Sequence, residues 1–350
     1  MKNNIFKLLL FVCISIPYGL MAQTGGGASY LFLDLANDAR LSSFGMTATS
    51  IYDDDINMAI TNPSLINAKM DNSLSLSYNN YFGTHLGFAS YSWDFNKIGS
   101  FVGTMQYINY GNFKYADEMG IVSGGDFSAN EIAAVVGWGR QLSDRWSIGA
   151  NFKMIYSGLE SYNSFAVAVD VAGTYRVPEK NFDMSLIVRN GGVELFSYAS
   201  ERSRLPFEID YAMSVGFQHL PFRFMLLLHD LQKWNLIYDD PTLTSRTIDP
   251  NTGEPISRTA AAIFGDNLIR HVTVGGELTI AKIICLRFGY NFQRRQELRL
   301  STTHAGVSGL SFGIGLDIYK FQVGYSHAIY SVAGATNCLT IKTNLSDWIK

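Results

Sequence analysis

From Asn72 onward, apolar and polar residues alternate with a period of two, the pattern of strands whose two faces meet different surroundings. Three segments carry it best. In Arg145 to Gly158, the set Trp146, Ile148, Ala150, Phe152, Met154 and Tyr156 alternates with Ser147, Gly149, Asn151, Lys153 and Ile155. In Pro206 to Gln218, Phe207, Ile209, Tyr211, Met213, Val215 and Phe217 alternate with Glu208, Asp210, Ala212, Ser214 and Gly216. In Ser164 to Arg176, Phe165, Val167, Val169 and Val171 alternate with Ala166, Ala168, Asp170 and Ala172. Charges on every second residue exclude burial of both faces in an apolar core. A soluble sandwich also alternates, but here the apolar face ends in aromatics at Trp93, Phe95, Trp146, Tyr156, Tyr175 and Phe217, as membrane-interface girdles do.

The pattern predicts an all-β fold, a transmembrane antiparallel outer-membrane β-barrel of about fourteen strands. The expected spans are 72–81, 85–95, 98–109, 128–141, 145–157, 164–176, 182–190, 206–218, 222–233, 268–280, 283–293, 309–318, 321–331 and 337–345. The connections give an independent test, because a barrel with both ends periplasmic places short turns and long loops on alternate sides. Short ones fall at Asn96-Lys97, Ser143-Asp144, Val177 to Asn181, His219 to Pro221, Ala281-Lys282 and Tyr319-Lys320. Gly111 to Phe127, Gly191 to Leu205, Asn235 to Asn267 and Arg294 to Ser308 all have the opposite parity, which puts these long loops outside the cell.

Two segments precede the alternation. Residues 1–22 combine Lys2 and Lys7, the apolar run Leu8 to Ile16 and the small-residue exit at Ala22, the order of a secretory signal peptide cut before Gln23. That run is too short to span a bilayer as a helix. Residues 23–71 carry glycines at Gly25 to Gly27 and acids at Asp53 to Asp55 but no sustained alternation. Leu31, Phe32, Leu33, Leu35, Phe44, Met46, Ile51, Met58 and Ile60 are too many apolar residues for a solvated tail. The expectation is a hatch or plug at 23–71, packed in the lumen of a barrel at 72–350.

Composition narrows the function classes. With 32 Gly, 19 Tyr and 23 Phe but only 16% charged residues, the chain suits lipid-facing strands, and a formal charge of -3 offers no basic stripe for a nucleic acid. Enzymatic signatures are missing: there is no Ser-x-x-Lys, no Gly-x-Ser-x-Gly elbow, no His-Glu-x-x-His and no Walker loop. The six histidines, His85, His219, His229, His271, His304 and His327, fall on separate strands and loops and read as interface or lumen residues, so neither a metal site nor a cofactor is expected. Asp53 to Asp55 read as a solvated turn or as partners for lumen arginines rather than as a calcium site. The expected inward face carries Lys153, Asp170, Asp183, Arg189, Glu208, Asp210, Glu277, Arg287, Asp317 and Lys342, a mixed-sign, salt-bridged interior. Cys285 and Cys338 of the mature chain read as two thiols, although export leaves a bridge between them possible.

Ala39-Arg40, Phe44-Gly45, Asp53-Asp54 and Asn62-Pro63-Ser64-Leu65 resemble the hatch signature of the long-chain fatty acid transporter barrels, whose motif is Asn-Pro-Ala, with Ser64 in place of the Ala. A closer resemblance is to the PorV-PorQ family of barrels in the type IX secretion system of Bacteroidetes. It rests on Tyr107-Ile108-Asn109-Tyr110-Gly111, Leu159-Glu160-Ser161-Tyr162, Leu205-Pro206-Phe207-Glu208-Ile209, Pro221-Phe222-Arg223 and His229-Asp230-Leu231-Gln232-Lys233-Trp234. This resemblance implies a non-catalytic outer-membrane component of the attachment complex that joins secreted cargo to lipopolysaccharide. Its implied role is to anchor a PorZ-like surface protein, in a complex with a PorU-like sortase and a PorV-like barrel. The hatch signature Asn62, Pro63 and Ser64 points to a second reading, a channel or transporter for small hydrophobic molecules. Within the longest loop, Leu243, Ile248, Ile256, Ile263 and Phe264 are poorly placed in water without a cover, which makes them the candidate partner dock.

Overall fold

The computed structural model describes residues 28–116, 119, 121–198, 203–237, 259–297, 307–331 and 334–348. Fourteen strands form one closed antiparallel barrel. They are β1 (Ser73–Tyr81), β2 (Thr84–Phe95), β3 (Gly99–Ala116), β4 (Val122–Gln141), β5 (Trp146–Leu159), β6 (Tyr162–Val177), β7 (Phe182–Phe196), β8 (Glu208–Gly216), β9 (Phe222–Leu228), β10 (Val272–Ile280), β11 (Ile284–Asn291), β12 (Leu310–Ile318), β13 (Phe321–Ser331) and β14 (Gly334–Asn344). Each strand pairs with its neighbours in sequence, and β1 closes on β14 from Ser73↔Asn344 to Asn80↔Asn337. Closure leaves no free sheet edge, which is what allows a sheet to sit in hydrocarbon.

The period-two pattern is realised as two faces. Leu76, Met105, Phe152, Met154, Val171, Leu186, Phe288 and Leu339 point outward and are exposed, while Ser75, Gln106, Asn151, Lys153, Asp170, Ser185 and Glu277 point inward and are buried. An apolar outside and a polar inside invert the soluble pattern, as a lipid solvent requires. At the short-turn end, outward aromatics pair across strands: Trp93 with Phe101, Trp146 with Tyr175, Phe217 with Phe222 and Phe321 with Trp348.

The structure departs from the sequence expectation at the long-loop end, for local reasons. Gly111 to Phe127 is mostly strand, because a bulge between Asn109 and Gly111 shifts the alternation and pairing resumes at Gly111↔Ala129 and Phe113↔Phe127. In the same way β7 runs on past residue 190 to Phe196. Two residues of β7, Arg189 and Asn190 (φ 55), there oppose the single Asp170 of β6, and Asn190 N–H donates to Asp170 Oδ1 at 2.8 Å. Such a bulge aims consecutive side chains to one side, and both Arg189 and Asn190 are buried. Strand β9 ends at Leu228, not 233, just before Asp230 (φ 57). The stretch 268–271, expected in a strand, instead closes a helix α2 (Ala260–Arg270), which also replaces part of the loop expected over Asn235 to Asn267. Its start was readable: Thr259 caps the N–H of Ala262 at 3.3 Å, and three alanines follow. Phe292–Glu297 is likewise helical, not strand end and loop.

The N-terminal segment from Ala28 to Asp71 lies inside the barrel. It contains helix α1 (Ala39–Phe44), capped by Asp38, and 3-10 turns at Leu31–Asp34, Ile56–Ile60, Pro63–Leu65 and Ala68–Met70. Phe44, Met46, Ala48 and Ile51 pack on Ala172, Ile187, Ala212, Met225 and Leu227 of the wall. Tyr30, Phe32 and Leu33 pack on Leu86, Phe88, Ile108, Ala133, Ile155 and Ala166. Small wall residues make this possible: a β-carbon on Gly289 would lie 1.9 Å from the Phe44 carbonyl oxygen.

Candidate functional site

Asn62, Pro63 and Ser64 are buried, and their turn packs against β4, β5 and β6. Pro63 starts a 3-10 turn, where its missing N–H leaves no bond unmade. Asn62 Nδ2 donates to the Thr49 carbonyl at 2.8 Å and to Ser185 Oγ at 3.0 Å, and its Oδ1 accepts from Ser64 Oγ at 2.6 Å. Ser64 Oγ also meets Thr174 Oγ1 at 2.6 Å, and Ser147 Oγ donates to the Ser64 carbonyl at 2.7 Å. The serine that replaces alanine in the signature is therefore a bonded joint between segment and wall.

Charge forms a second joint. Arg40 of α1 reaches Asp53 at 2.6 Å, Asp55 at 3.2 Å and Glu277 of β10 at 2.9 Å; Arg287 reaches the same Glu277 at 2.7 Å, and Lys342 reaches Asp55 at 3.4 Å. Burial alone would raise the Asp55 carboxyl, but Lys342, Arg40 and Arg287 outweigh it and hold Asp55 well below the usual carboxylate range. Two of the three acids expected as arginine partners or a turn thus pair with Arg40. Of the inward charges named above, Lys153 pairs with Asp170 at 2.8 Å, Arg176 with Asp183 at 3.2 Å and Arg189 with Asp210 at 2.9 Å. Cys285 and Cys338 are both free thiols, Cys338 buried on β14.

At the long-loop end the wall changes character. A cavity of about 480 Å³ is lined by Tyr110, Phe113, Phe127, Ala129, Leu159 and Tyr198 around the polar pair Glu131 and Ser157. Phe113 and Phe127 stack at 5.3 Å between ring centroids, an arrangement created by the β3–β4 bulge. Glu131 is already satisfied, accepting from Tyr110 Oη at 2.5 Å and Ser157 Oγ at 2.8 Å; Tyr198 in turn donates to Ser157. With its polar floor internally bonded, this cavity offers a ligand shape and apolar contact rather than free hydrogen-bonding groups. Two residues further in along the same strand faces stand Ile108, Ala133 and Ile155, which pack on the tip of the N-terminal segment at Tyr30, Phe32 and Leu33. None of these cavity residues stood out in the sequence as a site, because the bulge that gathers them breaks the alternation that would have flagged them.

Of the expected docking residues, Leu243, Ile248 and Ile256 lie outside the described residues. Ile263 and Phe264 stand on α2, where Phe264 is 56% exposed and its ring lies 5.0 Å from that of Trp234. The histidines do not all stand apart as expected: His229 and His271 have ring centroids 6.4 Å apart, and His229 joins Glu208 and Asp230 in one cluster.

No family model and no curated protein matches this chain in sequence. Its fold is similar to that of solved outer-membrane barrels. The Pseudomonas putida toluene transporter TodX superposes with a TM-score of 0.54 at 10% identity, covering 88% of this chain and 98% of TodX. A TodX monoaromatic hydrocarbon channel deltaS2 mutant gives 0.52 at 11% identity over 88% of this chain and 97% of its own. A Pseudomonas aeruginosa FadL homologue gives 0.48 at 9% identity over 91% and 100%. The closed fourteen-stranded barrel of this chain thus shares its fold with TodX.

Proposed function

We propose that this chain is a non-enzymatic barrel of the bacterial outer membrane that binds small hydrophobic molecules at its outer mouth and admits them toward the lumen. The observation that carries this reading is the aromatic cavity between β3, β4 and β5, whose apolar lining includes no residue of the N-terminal segment, unlike the apolar wall patches around Ile155 and Ile187 that pack on it. An apolar guest there leaves water at a gain of about 25 cal/mol per Å² buried, and the bonded Glu131 floor asks nothing of it. Beyond the cavity the N-terminal segment closes the way, so passage requires the Tyr30 to Leu33 tip to move aside. The fold shared with a toluene transporter supports the same class of cargo. Uptake of a labelled monoaromatic hydrocarbon by cells producing the chain tests it. Uptake above the empty-vector level, lost on Phe127→Arg, is the expected outcome; equal uptake with and without the chain rejects the reading.

One observation favours a second reading, the surface anchor of a type IX attachment complex. Helix α2 presents Ile263, Phe264 and Leu268 to solvent at the long-loop end, where a PorZ-like partner would sit. Native purification separates the two readings: a stoichiometric surface protein favours the anchor, and bound hydrocarbon without a partner favours passage.

A further inference from the structure

A second cluster at the long-loop end, separated from the β5 side of the aromatic cavity by β6 and β7, concentrates buried ionisable groups. Glu208 opens β8, while His229 and Asp230 follow directly on β9. One ring nitrogen of His229 and one carboxylate oxygen each of Glu208 and Asp230 lie within 4.8 Å of one another. His229 Nδ1 is 3.1 Å from Asp230 Oδ2. The His229 residue is only 5% exposed, and its Nε2 is buried without a hydrogen-bond partner. All three residues, with Asp34 of the N-terminal segment, line a cavity of about 200 Å³.

Charge makes the same point independently. Arg189 reaches Asp34 at 3.6 Å, Asp210 at 2.9 Å and Glu208. Asp230 adds a fourth carboxyl, met by His229 and by Gln232 Nε2 at 3.2 Å, and Arg294 and Glu297 also line the cavity. Carboxyl groups thus outnumber guanidinium groups around this cavity, an excess that a bound cation would offset. The neighbouring His271 is committed elsewhere, with Nδ1 2.7 Å from the His229 carbonyl oxygen and Nε2 3.2 Å from that of Trp234. Those contacts fix the backbone that carries His229.

We propose that Glu208, His229 and Asp230 form a binding site for a divalent first-row metal ion, with zinc the best-matched probe. One imidazole and two carboxylates are a donor set that such ions take, with a fourth position left for water. The ion would fasten the exit of β9 to β8 and, through Glu208 and Arg189, to Asp34 of the N-terminal segment.

The test is titration of the refolded full chain in detergent, stripped with a chelator, using Zn²⁺ by calorimetry and Co²⁺ by visible absorption. One Zn²⁺ per chain and a cobalt spectrum are expected. His229→Gln and Glu208→Gln should each weaken binding by at least about tenfold, the loss that even an outer-shell partner of a metal ligand costs. Asp230→Asn, outside the strands, gives the same reading should Glu208→Gln fail to fold. Replacement of the exposed His219 by Gln should leave the titration unchanged. Absence of saturable binding by the wild type, or binding undiminished in His229→Gln or Asp230→Asn, overturns the assignment.

Discussion

The carbonyl oxygen of Pro63 lies 2.1 Å from where a β-carbon on Gly149 would stand, so the N-terminal segment touches β5 backbone to backbone. Gly149→Val therefore cannot be absorbed by a side-chain rotation; either the Pro63–Leu65 turn lifts off or the strand bends. We expect loss of protection of residues 60–67, read by hydrogen exchange in detergent, at a cost of about 1–3 kcal/mol, typical of overpacking. Gly173 is the control, since a β-carbon there meets nothing within 4 Å, and Gly173→Ala should leave exchange unchanged.

Faces of β8 give a second expectation. Met213 lies on the lipid side beside Met184 and Leu226, whereas Ser214 is fully buried and donates to the Ser50 carbonyl at 3.0 Å. Met213→Arg should lower wall stability in a lipid refolding titration by about 2–4 kcal/mol if it sits near the bilayer midplane. Ser214→Arg should instead displace the segment around Ser50 and expose it to protease, leaving the heat-modifiable gel shift in place. A reversal of these two phenotypes rejects the face assignment.

These two residues also show what was legible in the sequence. Alternation around Met213 and Ser214 assigned both faces correctly, because lipid outside and a polar lumen inside act on every second residue. The same rule failed wherever the chain leaves period two. The bulge at Asn109 to Gly111 adds a single residue, so the aromatic cavity forms from side chains that look misplaced in a linear reading, whereas Arg189, Glu208 and Asp210 are expected inward and are buried there. His229 and Glu208 are 21 positions apart and meet only because β8 and β9 are neighbours in the wall. Helix α2 departs from the expectation for another reason: the Thr259 cap and three alanines follow directly on a run of turn formers, whose composition points to a loop as far as Asn267.

Acid should release the N-terminal segment before the wall. Asp55 is held below the usual carboxylate range by Lys342, Arg40 and Arg287 against the cost of its burial. A carboxyl whose folded-state pKa is depressed binds fewer protons folded than unfolded, so its stabilisation is complete above its unfolded value of about 4 and is lost as pH falls below that. Limited proteolysis across this window should show cleavage within 50–60 rising as pH drops below about 4, while the gel shift of the barrel persists. Asp55→Asn should remove most of this pH dependence and leave the segment looser at neutral pH. An unchanged acid profile in that variant would mean that other carboxylates carry the effect.

The anchor reading is decided on α2. Phe264 is 56% exposed and Ile263 41%, and on a helix the neighbouring Leu268, four residues on from Phe264, extends the same face to 47% exposure. Water-facing groups of this size on one helix face are characteristic of a covered surface when they are contiguous. Phe264→Asp leaves the Thr259 cap and the barrel untouched, so the folded wall should survive with its gel shift intact. If a surface protein docks here, the substitution places a charge in the centre of the buried patch, where a single anchor residue can carry 2 kcal/mol or more, roughly a thirtyfold loss of affinity. The partner should then appear in the culture medium instead of on the cell. Retention of the partner on Phe264→Asp cells would remove α2 as the dock, and with it the one structural observation that favours the anchor over hydrocarbon passage.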